Sequence, residues 1–285
     1  MGPYQKNLPI FNINTHPYPQ ERIYPIQPYP FRSDDYTGLP SPAFRQIVSC
    51  YHQMWMGNNN PDSKIYPSQG CAIVWVSGKS DTDSFLVGAP TFPRDVEYIF
   101  PECLCFVAIF WPDTGFSIFS HSIEEAVDTH IPLDMIFPSA ADCFNEKMAS
   151  AKNFLQRINI FETFLKQILV DYTSIPVEHK KMLDQIVNHP GLPLAIDRRK
   201  KPVARELSRR HVQRLCIKYL GIAPKLIARI SRYQQALHIL NVNPSVNMAD
   251  LAISTGHHDQ SHFIKEFKRF QNMTPIEFLS QFSVQ

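Results

Sequence analysis

The feature that most constrains the fold lies near the C-terminus, in the segment GHHDQSHFIKEFKRF that begins at Gly256. Gly256 permits a turn with positive φ because it has no Cβ atom to clash with the backbone. Asp259 is suited to cap the following helix, since its carboxylate can accept a backbone N–H and favours the positive end of the helix dipole. Phe263, Phe267 and Phe270 recur at positions i, i+4 and i+7, which places them on one buried face. The segment therefore predicts a tight turn followed by an amphipathic helix with a basic outer face.

Capping signals bound this helix and its neighbours. Asn247 can cap a short preceding helix, and Asp250 three residues later completes a capping-box-like pair. Thr274–Glu277 (TPIE) is a capping box with proline at the first helical position, which ends the basic helix and begins another. Two helices joined by a tight turn are typical of a helix-turn-helix, in which the second helix enters the major groove of DNA.

The outer face of the basic helix carries the residues that such a unit would use on DNA. Early residues of a recognition helix usually reach base edges, and flanking cations usually reach phosphates. We therefore expect Gln260, Ser261 and Lys265 to face bases. We expect Lys268 and Arg269 to face the DNA backbone. The alternative is an ordinary amphipathic helix whose charged face is solvated.

These residues also carry a family resemblance. The segment GHHDQSHFIKEFKRF resembles the second helix-turn-helix of the AraC/XylS family of transcription regulators. Gly221–Lys225 (GIAPK) is similar to the family's turn into a long joining helix, which Pro224 would begin and which leaves Arg229 and Arg232 where phosphate could pass. The resemblance implies a DNA-binding domain over residues 178–285, with a first helix-turn-helix at about 192–219, a linker helix at 224–241 and a second unit at 247–270.

The first unit follows the family pattern less regularly. Ser208–Leu215 (SRRHVQRL) resembles the first recognition helix, with Ser208 as its N-cap. The residues that would reach the groove on that match are Arg210, Gln213 and Arg214. Upstream, the family usually has an alanine-bearing helix and a glycine turn, whereas residues 197–207 (DRRKKPVAREL) contain no glycine. Either the turn is shortened or Pro202 begins the helix.

Charge is unevenly distributed along the 285 residues. Residues 1–170 carry 11 Lys and Arg against 17 Asp and Glu, a net charge of −6. Residues 171–285 carry 17 against 9, a net charge of +8. A basic half beside an acidic half points to nucleic acid at one end only, which leaves the acidic half better suited to sensing or dimerisation.

The N-terminal half divides into three parts. Residues 1–42 hold 9 of the 24 prolines and are expected to be extended, either as a mobile arm or as a coat packed through tyrosines. Residues 43–140 contain short β-branched and aromatic runs between Gly and Pro turns, which predicts a β-rich barrel or sandwich. Residues 141–172 are the expected connection, with one helix over 144–170 whose apolar stripe either packs on the β domain or forms a dimer seam. Residues 171–178 are the expected linker.

The β-rich part also resembles the N-terminal domain found ahead of some AraC-type DNA-binding domains. The similar stretches are YPSQG at 66–70, FLVGAP at 85–90 and FWP at 110–112. The expected fold class is therefore α+β and multidomain, with a β-rich N-terminal domain followed by an all-α double helix-turn-helix domain. Such a β domain could enclose a small effector, although aromatic residues are also ordinary core. The candidate effector contacts are Trp55, Tyr66, Trp75 and Trp111.

Cysteine and histidine do not form ligand patterns. None of the six cysteines belongs to a C-x-x-C pair, so we expect buried free thiols rather than a zinc ribbon or a redox site. His258 and His262 have ligand spacing, but Asp259 beside them is needed as a cap. We therefore predict no metal and no cofactor. The N-terminus lacks an apolar signal core, and the apolar run Leu104–Trp111 is too short to cross a membrane, which predicts a cytoplasmic protein.

Together these patterns predict a sequence-specific transcription regulator that binds double-stranded DNA. A small-molecule effector, a second copy of the chain and RNA polymerase are its further candidate partners. One alternative is a DNA-repair alkyl transferase that carries the same kind of DNA-binding module, which would need activated cysteines. Another is an interaction protein whose DNA-binding units have decayed. No catalytic Ser/His/Asp set, phosphate-binding glycine loop or carboxylate pair stands out, so no enzymatic activity is predicted.

Overall fold

The computed structural model describes residues 35–56, 64–79, 81–95, 102–119, 122–169, 175–188 and 208–282. Strands dominate the N-terminal part and helices the C-terminal part, which confirms the predicted α+β order. Three predictions fall outside the described residues: the conformation of residues 1–34, most of the linker, and the turn around Pro202.

The N-terminal region is built on a six-stranded antiparallel sheet. Its strands are β1 (Tyr36–Gly38), β2 (Val48–Met56), β4 (Ala72–Ser77), β5 (Thr82–Val87), β7 (Cys103–Phe110) and β8 (His130–Pro132), in the spatial order β1-β2-β7-β4-β5-β8. Two short strands, β3 (Lys64–Ile65) and β6 (Arg94–Asp95), pair separately. The β-branched and aromatic runs of the sequence therefore form strands as predicted.

Helices cover one face of this sheet. They are α1 (Gly115–Phe119), α2 (Ser122–Glu125), α3 (Leu133–Ile136), α4 (Pro138–Ser150) and α5 (Phe154–Ile168). The main core lies between the sheet and α4 and α5, where the rings of Tyr51 and Phe106 contact Phe161. A smaller apolar cluster, which includes Met56, lies on the opposite face.

The connection after the sheet is two helices, not the single helix predicted over 144–170. Ala151 adopts an extended backbone with ψ 127°, which ends α4. The Asn153 side chain accepts the Gln156 backbone N–H at 2.9 Å and so caps α5 as a new helix. Apolar periodicity did not reveal this break, because the stripes of both helices face the same core. The apolar stripe was predicted either to pack on the β domain or to form a dimer seam. Its residues Phe161 and Leu165 pack on the chain's own β domain.

The C-terminal region contains six described helices. They are α6 (Val177–Asn188), α7 (Arg209–Leu220), α8 (Pro224–Val242), α9 (Met248–Ser254), α10 (Gln260–Gln271) and α11 (Pro275–Phe282). All six contribute apolar side chains to one core, in which Ile227, Ile230 and Leu237 of α8 are fully buried. The predicted linker helix over 224–241 is confirmed to within one residue by α8.

Candidate nucleic-acid interface

Helix α10 has the turn, the cap and the buried stripe that its sequence predicts. Gly256 has a φ of 74°, in the left-handed region that glycine tolerates best. The Asp259 carboxylate accepts the His262 backbone N–H at 2.8 Å, and this hydrogen bond lowers the pKa of Asp259. Phe263, Phe267 and Phe270 are each 1% exposed. The apolar face of α10 is therefore fixed in the core, which leaves its polar face toward solvent.

The polar face of α10 brings together the residues assigned to the second recognition helix. All five are exposed, and none forms a salt bridge with another described residue. They are Gln260, Ser261, Lys265, Lys268 and Arg269. An unpaired cationic face on a rigid helix is suited to phosphate and base contacts. Their individual roles on DNA remain predictions.

The caps of the neighbouring helices are also confirmed. The Asn247 side chain accepts the backbone N–H groups of Ala249 at 2.8 Å and Asp250 at 3.4 Å, at the start of α9. Thr274 and Glu277 form a reciprocal pair. Thr274 donates its backbone N–H to the Glu277 carboxylate at 2.7 Å, and the Thr274 hydroxyl accepts the Glu277 N–H at 3.3 Å. Local hydrogen bonds therefore satisfy backbone N–H groups at the start of α9 and at the start of α11.

Helix α7 presents the residues assigned to the first recognition helix. The Ser208 hydroxyl accepts the His211 backbone N–H at 3.2 Å, which confirms Ser208 as the N-cap. Arg210, Gln213 and Arg214 are all exposed along one side of the helix. The Arg214 guanidinium lies 2.9 Å from Nδ1 of His211, which holds it close to the helix surface. Residues 192–207, where the earlier part of the first unit is expected, lie outside the described residues.

Arg229 and Arg232, the arginines that the sequence places where phosphate could pass, are both engaged by Glu266 of α10. Its carboxylate accepts hydrogen bonds from Arg229 at 3.0 Å and from Arg232 at 3.2 Å, and His257 lies at 3.5 Å. Burial alone would raise the pKa of Glu266, but the nearby His257 ring, the hydrogen bond from Arg229 and the two guanidinium charges lower it to about 2. Glu266 therefore joins α10 to α8 through salt bridges with Arg229 and Arg232.

The helical spacing of the α10 sequence indicates that Glu266 is buried. Glu266 lies three residues after Phe263 and four before Phe270, so it belongs to the buried stripe rather than to the outer face. A carboxylate on a buried stripe needs cationic partners, which the polar side of α8 supplies. The histidines nearby are part of the same packing: His257 is buried, and its Nδ1 lies 2.9 Å from the Thr255 hydroxyl. Among the described residues, no group of three or more His, Cys, Asp or Glu side chains is arranged to hold a metal ion.

The geometry agrees with a comparison against protein families. Residues 204–281 match the family model described as "Helix-turn-helix domain". The C-terminal part of this chain is therefore a helix-turn-helix domain. The match covers α7–α11, so it includes both helices that carry the candidate DNA contacts. No curated protein matches the chain in the sequence comparison.

Solved structures with some likeness to the chain include several of ToxT from Vibrio cholerae. The P21 form of ToxT is 14% identical with a TM-score of 0.41, over 81% of this chain and 96% of that chain. ToxT from V. cholerae O395 bound to (E)-4-(8-methylnaphthalen-1-yl)but-3-enoic acid is 13% identical, with a TM-score of 0.41 over 81% and 97%. Unsaturated fatty acid-bound ToxT from strain SCE256 is 12% identical, with a TM-score of 0.36 over 80% and 90%.

The helix-turn-helix domain is docked on the N-terminal region through polar contacts. Gln69 donates its side-chain N–H to the Ser231 hydroxyl at 2.7 Å, and Gln234 donates to the Pro67 carbonyl at 2.6 Å. Ser231 and Gln234 lie on α8 and are fully buried. The distance in sequence between these partners exceeds 160 residues, so no local pattern could predict the contact.

Apolar contacts connect α7 to the same region. Phe116 of α1 meets the Tyr219 ring edge-on, with centroids 4.8 Å apart. A Cβ atom at Gly221 would lie 2.5 Å from a Val127 methyl, so the backbone after α7 approaches α2 and its loop too closely for any other residue. Lys180 of α6 adds a salt bridge of 3.0 Å to Asp113. Both candidate recognition helices are therefore joined to the N-terminal region by contacts, α7 directly and α10 through α8.

We expect Gln69→Ala to lower the free energy of unfolding by about 1–3 kcal/mol, because it leaves the buried Ser231 hydroxyl without its donor. Urea unfolding of the full chain measures this change. Gln167→Ala removes an exposed glutamine of α5 and is the matched control, with an expected effect within about 0.5 kcal/mol. Equal stabilities of the two variants would show that this docking contact does not form in solution.

The four aromatic candidates for an effector site do not share one location. Trp55 is 47% exposed at the end of β2, whereas Trp75 is 1% exposed in the core under α4 and α5. Tyr66 is buried near Tyr233 of the helix-turn-helix domain. The pKa of Tyr233 is raised by burial and by the neighbouring Tyr66. Trp111 is buried and donates its indole N–H to the Arg45 carbonyl at 2.9 Å. A single aromatic cage is therefore not formed by these side chains.

The buried cysteines are thiols whose surroundings oppose ionisation. Burial raises the pKa of Cys50, Cys71 and Cys216 to about 12 and that of Cys103 to about 11. Burial also raises the pKa of Cys105, and the neighbouring Cys103 adds to this effect. A thiol that accepts alkyl groups needs the opposite shift, a lowered pKa.

Among the helices that the structure describes, none has the length and apolar character needed to cross a membrane.

Proposed function

We propose that the chain is a sequence-specific DNA-binding transcription regulator that reads double-stranded DNA with α7 and α10. The observation that carries the proposal is the outer face of α10, where Gln260, Ser261 and Lys265 are exposed beside Lys268 and Arg269. Glutamine pairs with adenine and lysine with guanine in the major groove. Arg229 and Arg232 of α8 are engaged by Glu266, whereas Lys265, Lys268 and Arg269 of α10 are exposed.

Helix α7 would contribute a second set of contacts. Arg210 and Arg214 are suited to guanine or phosphate and Gln213 to adenine. Two recognition helices in one domain would enter successive major grooves on one face of the duplex, about 34 Å apart. Lys268 and Arg269 would then hold the phosphate backbone between base contacts, and each lost phosphate contact would lower the salt dependence by about one unit of slope.

Control by a small-molecule effector is the second part of the proposal. The buried contacts from residues 66–70 and α1–α2 to α7 and α8 support it, because a change in the N-terminal region would alter how both helices are held. Homodimerisation and contact with RNA polymerase complete the proposal. A dimer would recognise two copies of the DNA element, as two-fold symmetric regulators do.

Selection from a random duplex pool with the full chain, at near-physiological salt, tests the proposal. We expect a motif of two short elements about 10 bp apart, because successive major grooves on one face recur with the helical repeat. A single short element would restrict sequence recognition to α10. Binding that depends on salt but yields no motif would contradict sequence specificity, and no binding would overturn the DNA-binding function itself.

A further inference from the structure

Sulfur-containing side chains are concentrated on the face of the sheet opposite α4 and α5. The apolar cluster on that face has Met56, Cys103 and Cys105 among its buried residues, and Met54 packs against it. Strand β4 contributes valine and alanine side chains to the same cluster. Aliphatic side chains thus meet the packing requirement of this face, whereas the four sulfur residues also bring the chemistry of metal ligands.

Strand register brings these four residues into two directly opposed pairs. Met54 of β2 pairs with Cys105 of β7, and Met56 pairs with Cys103. Directly opposed residues have Cβ atoms about 4.5–5.5 Å apart, and residues two apart on a strand lie about 6–7 Å apart on the same face. Burial raises the pKa of Cys105, and Cys103 adds to the rise, so the two thiols are close enough to interact electrostatically. The four side chains therefore form one small group, here called the sulfur patch.

The ligand types of the sulfur patch select a particular class of metal ion. Thiolate and thioether sulfur atoms are soft ligands, and their combination favours Cu(I). Zinc sites use cysteine, histidine and carboxylate ligands, so two methionines beside two cysteines do not favour Zn²⁺. Methionine has three rotatable side-chain bonds, which lets its sulfur turn towards an ion that the thiols hold. The chemistry of the patch therefore fits a soft monovalent cation.

Met54 gives solvent a route to the sulfur patch. Its side chain is half-buried, whereas Cys103 and Cys105 are buried behind it. Rotation of the Met54 thioether is sufficient to admit a single ion, which needs no cavity of the size that a small molecule occupies. Each thiol that binds Cu(I) releases its proton to solvent, and the copper keeps its oxidation state. Binding at this patch is therefore coupled to pH.

We propose that the sulfur patch is a binding site for Cu(I). The thiolates of Cys103 and Cys105 supply the negatively charged ligands, and the thioethers of Met54 and Met56 complete the coordination. The spacing of cysteine and histidine alone does not predict this site, because its ligands come from two strands and two of them are methionines. The site goes beyond the proposed function, since it requires neither DNA nor a small-molecule effector.

Titration of the reduced full chain with Cu(I), under anaerobic conditions and without DNA, tests the site. Bicinchoninate competes for the ion, and the absorbance of its Cu(I) complex measures how much copper the protein retains. We expect the chain to retain about one equivalent of Cu(I) and to bind Zn²⁺ more weakly. Transfer of all the copper to bicinchoninate would overturn the site, and tighter binding of Zn²⁺ than of Cu(I) would overturn the soft ligand set.

Variants localise the bound copper. Combined Cys103→Ala and Cys105→Ala should release all of it to bicinchoninate, whereas Cys143→Ala, at the exposed cysteine of α4, is the matched control and should retain it. Met54→Leu should weaken Cu(I) binding about tenfold, because leucine keeps the side-chain volume but has no sulfur. The Met54 variant keeps the test decisive if the double cysteine variant does not fold. Wild-type affinity in Met54→Leu, or in a folded double cysteine variant, would overturn the proposal.

The copper site and the DNA-binding function can fail separately. A variant with Gln260→Ala and Lys265→Ala should bind Cu(I) as the wild type does, because both residues lie on α10 and not on the sheet. A DNA motif recovered by selection, without retained copper, would overturn the copper site and leave the regulator intact. Cu(I) affinity should also rise with pH, because thiol protons are released, and an affinity independent of pH would overturn coordination by thiolates.

Discussion

Combined replacement Gln260→Ala and Lys265→Ala is expected to weaken binding to the selected DNA motif by about 100-fold or more. Both side chains are exposed on the first turns of α10, where recognition helices reach base edges. Each base contact contributes about 1–3 kcal/mol of discrimination, so two losses act together on the specific complex. Binding to unrelated DNA at low salt should change little, because Lys268 and Arg269 remain. Fluorescence anisotropy with the motif and with a scrambled duplex measures both affinities.

Two controls separate this effect from misfolding. Lys166→Ala removes an exposed cation of α5 and should bind the motif as the wild type does. The double variant should also keep its unfolding free energy within about 0.5 kcal/mol, because neither residue is buried. Wild-type affinity for the motif in the double variant would assign sequence recognition to a surface other than α10.

Replacement of Glu266 by glutamine is expected to destabilise the helix-turn-helix domain by about 3 kcal/mol. The change leaves Arg229, Arg232 and His257 without the carboxylate that joins them across α8 and α10. Loss of one partner from a buried pair costs about 3–5 kcal/mol, and the lower end applies because the arginine side chains are 21% and 17% exposed. Urea unfolding of the full chain at neutral pH measures the difference. Glu146→Gln, at an exposed glutamate of α4, is the matched control.

The same carboxylate predicts a pH dependence of stability. The folded-state pKa of Glu266 is lowered from 4.5 to about 2, so the unfolded chain binds a proton before the folded chain does. Its contribution is therefore complete above pH 4.5 and is lost as the pH falls from 4.5 towards 2. We expect the stability difference between wild type and Glu266→Gln to shrink across that window. A difference that stays constant down to pH 2 would contradict the ionic role of Glu266.

Local sequence determined the parts of the molecule that rest on short-range hydrogen bonds and periodicity. Ser208, Asn247 and Asp259 cap helices within three residues of themselves, and Gly256 adopts the left-handed turn that its missing side chain allows. The stripe that includes Phe267 is buried as its spacing requires. These interactions join residues that are close in sequence, so they can be predicted without knowledge of the rest of the fold. The break between α4 and α5 was also local, but the Asn153 cap was obscured by a continuous apolar period.

Tertiary structure alone decided which groups meet across the chain. Glu266 and Arg229 are 37 residues apart, Arg157 and Gln53 are 104 apart, and Gln69 and Ser231 are 162 apart. The sequence places Arg229 on the polar side of α8. Only the packing of α8 on α10 brings it within salt-bridge distance of Glu266. Likewise, burial of Arg157 follows from the way α5 lies across β2, β7 and β4. Side-chain identity sets which partners are chemically allowed, whereas the enclosure of a charge depends on surfaces brought together from distant segments.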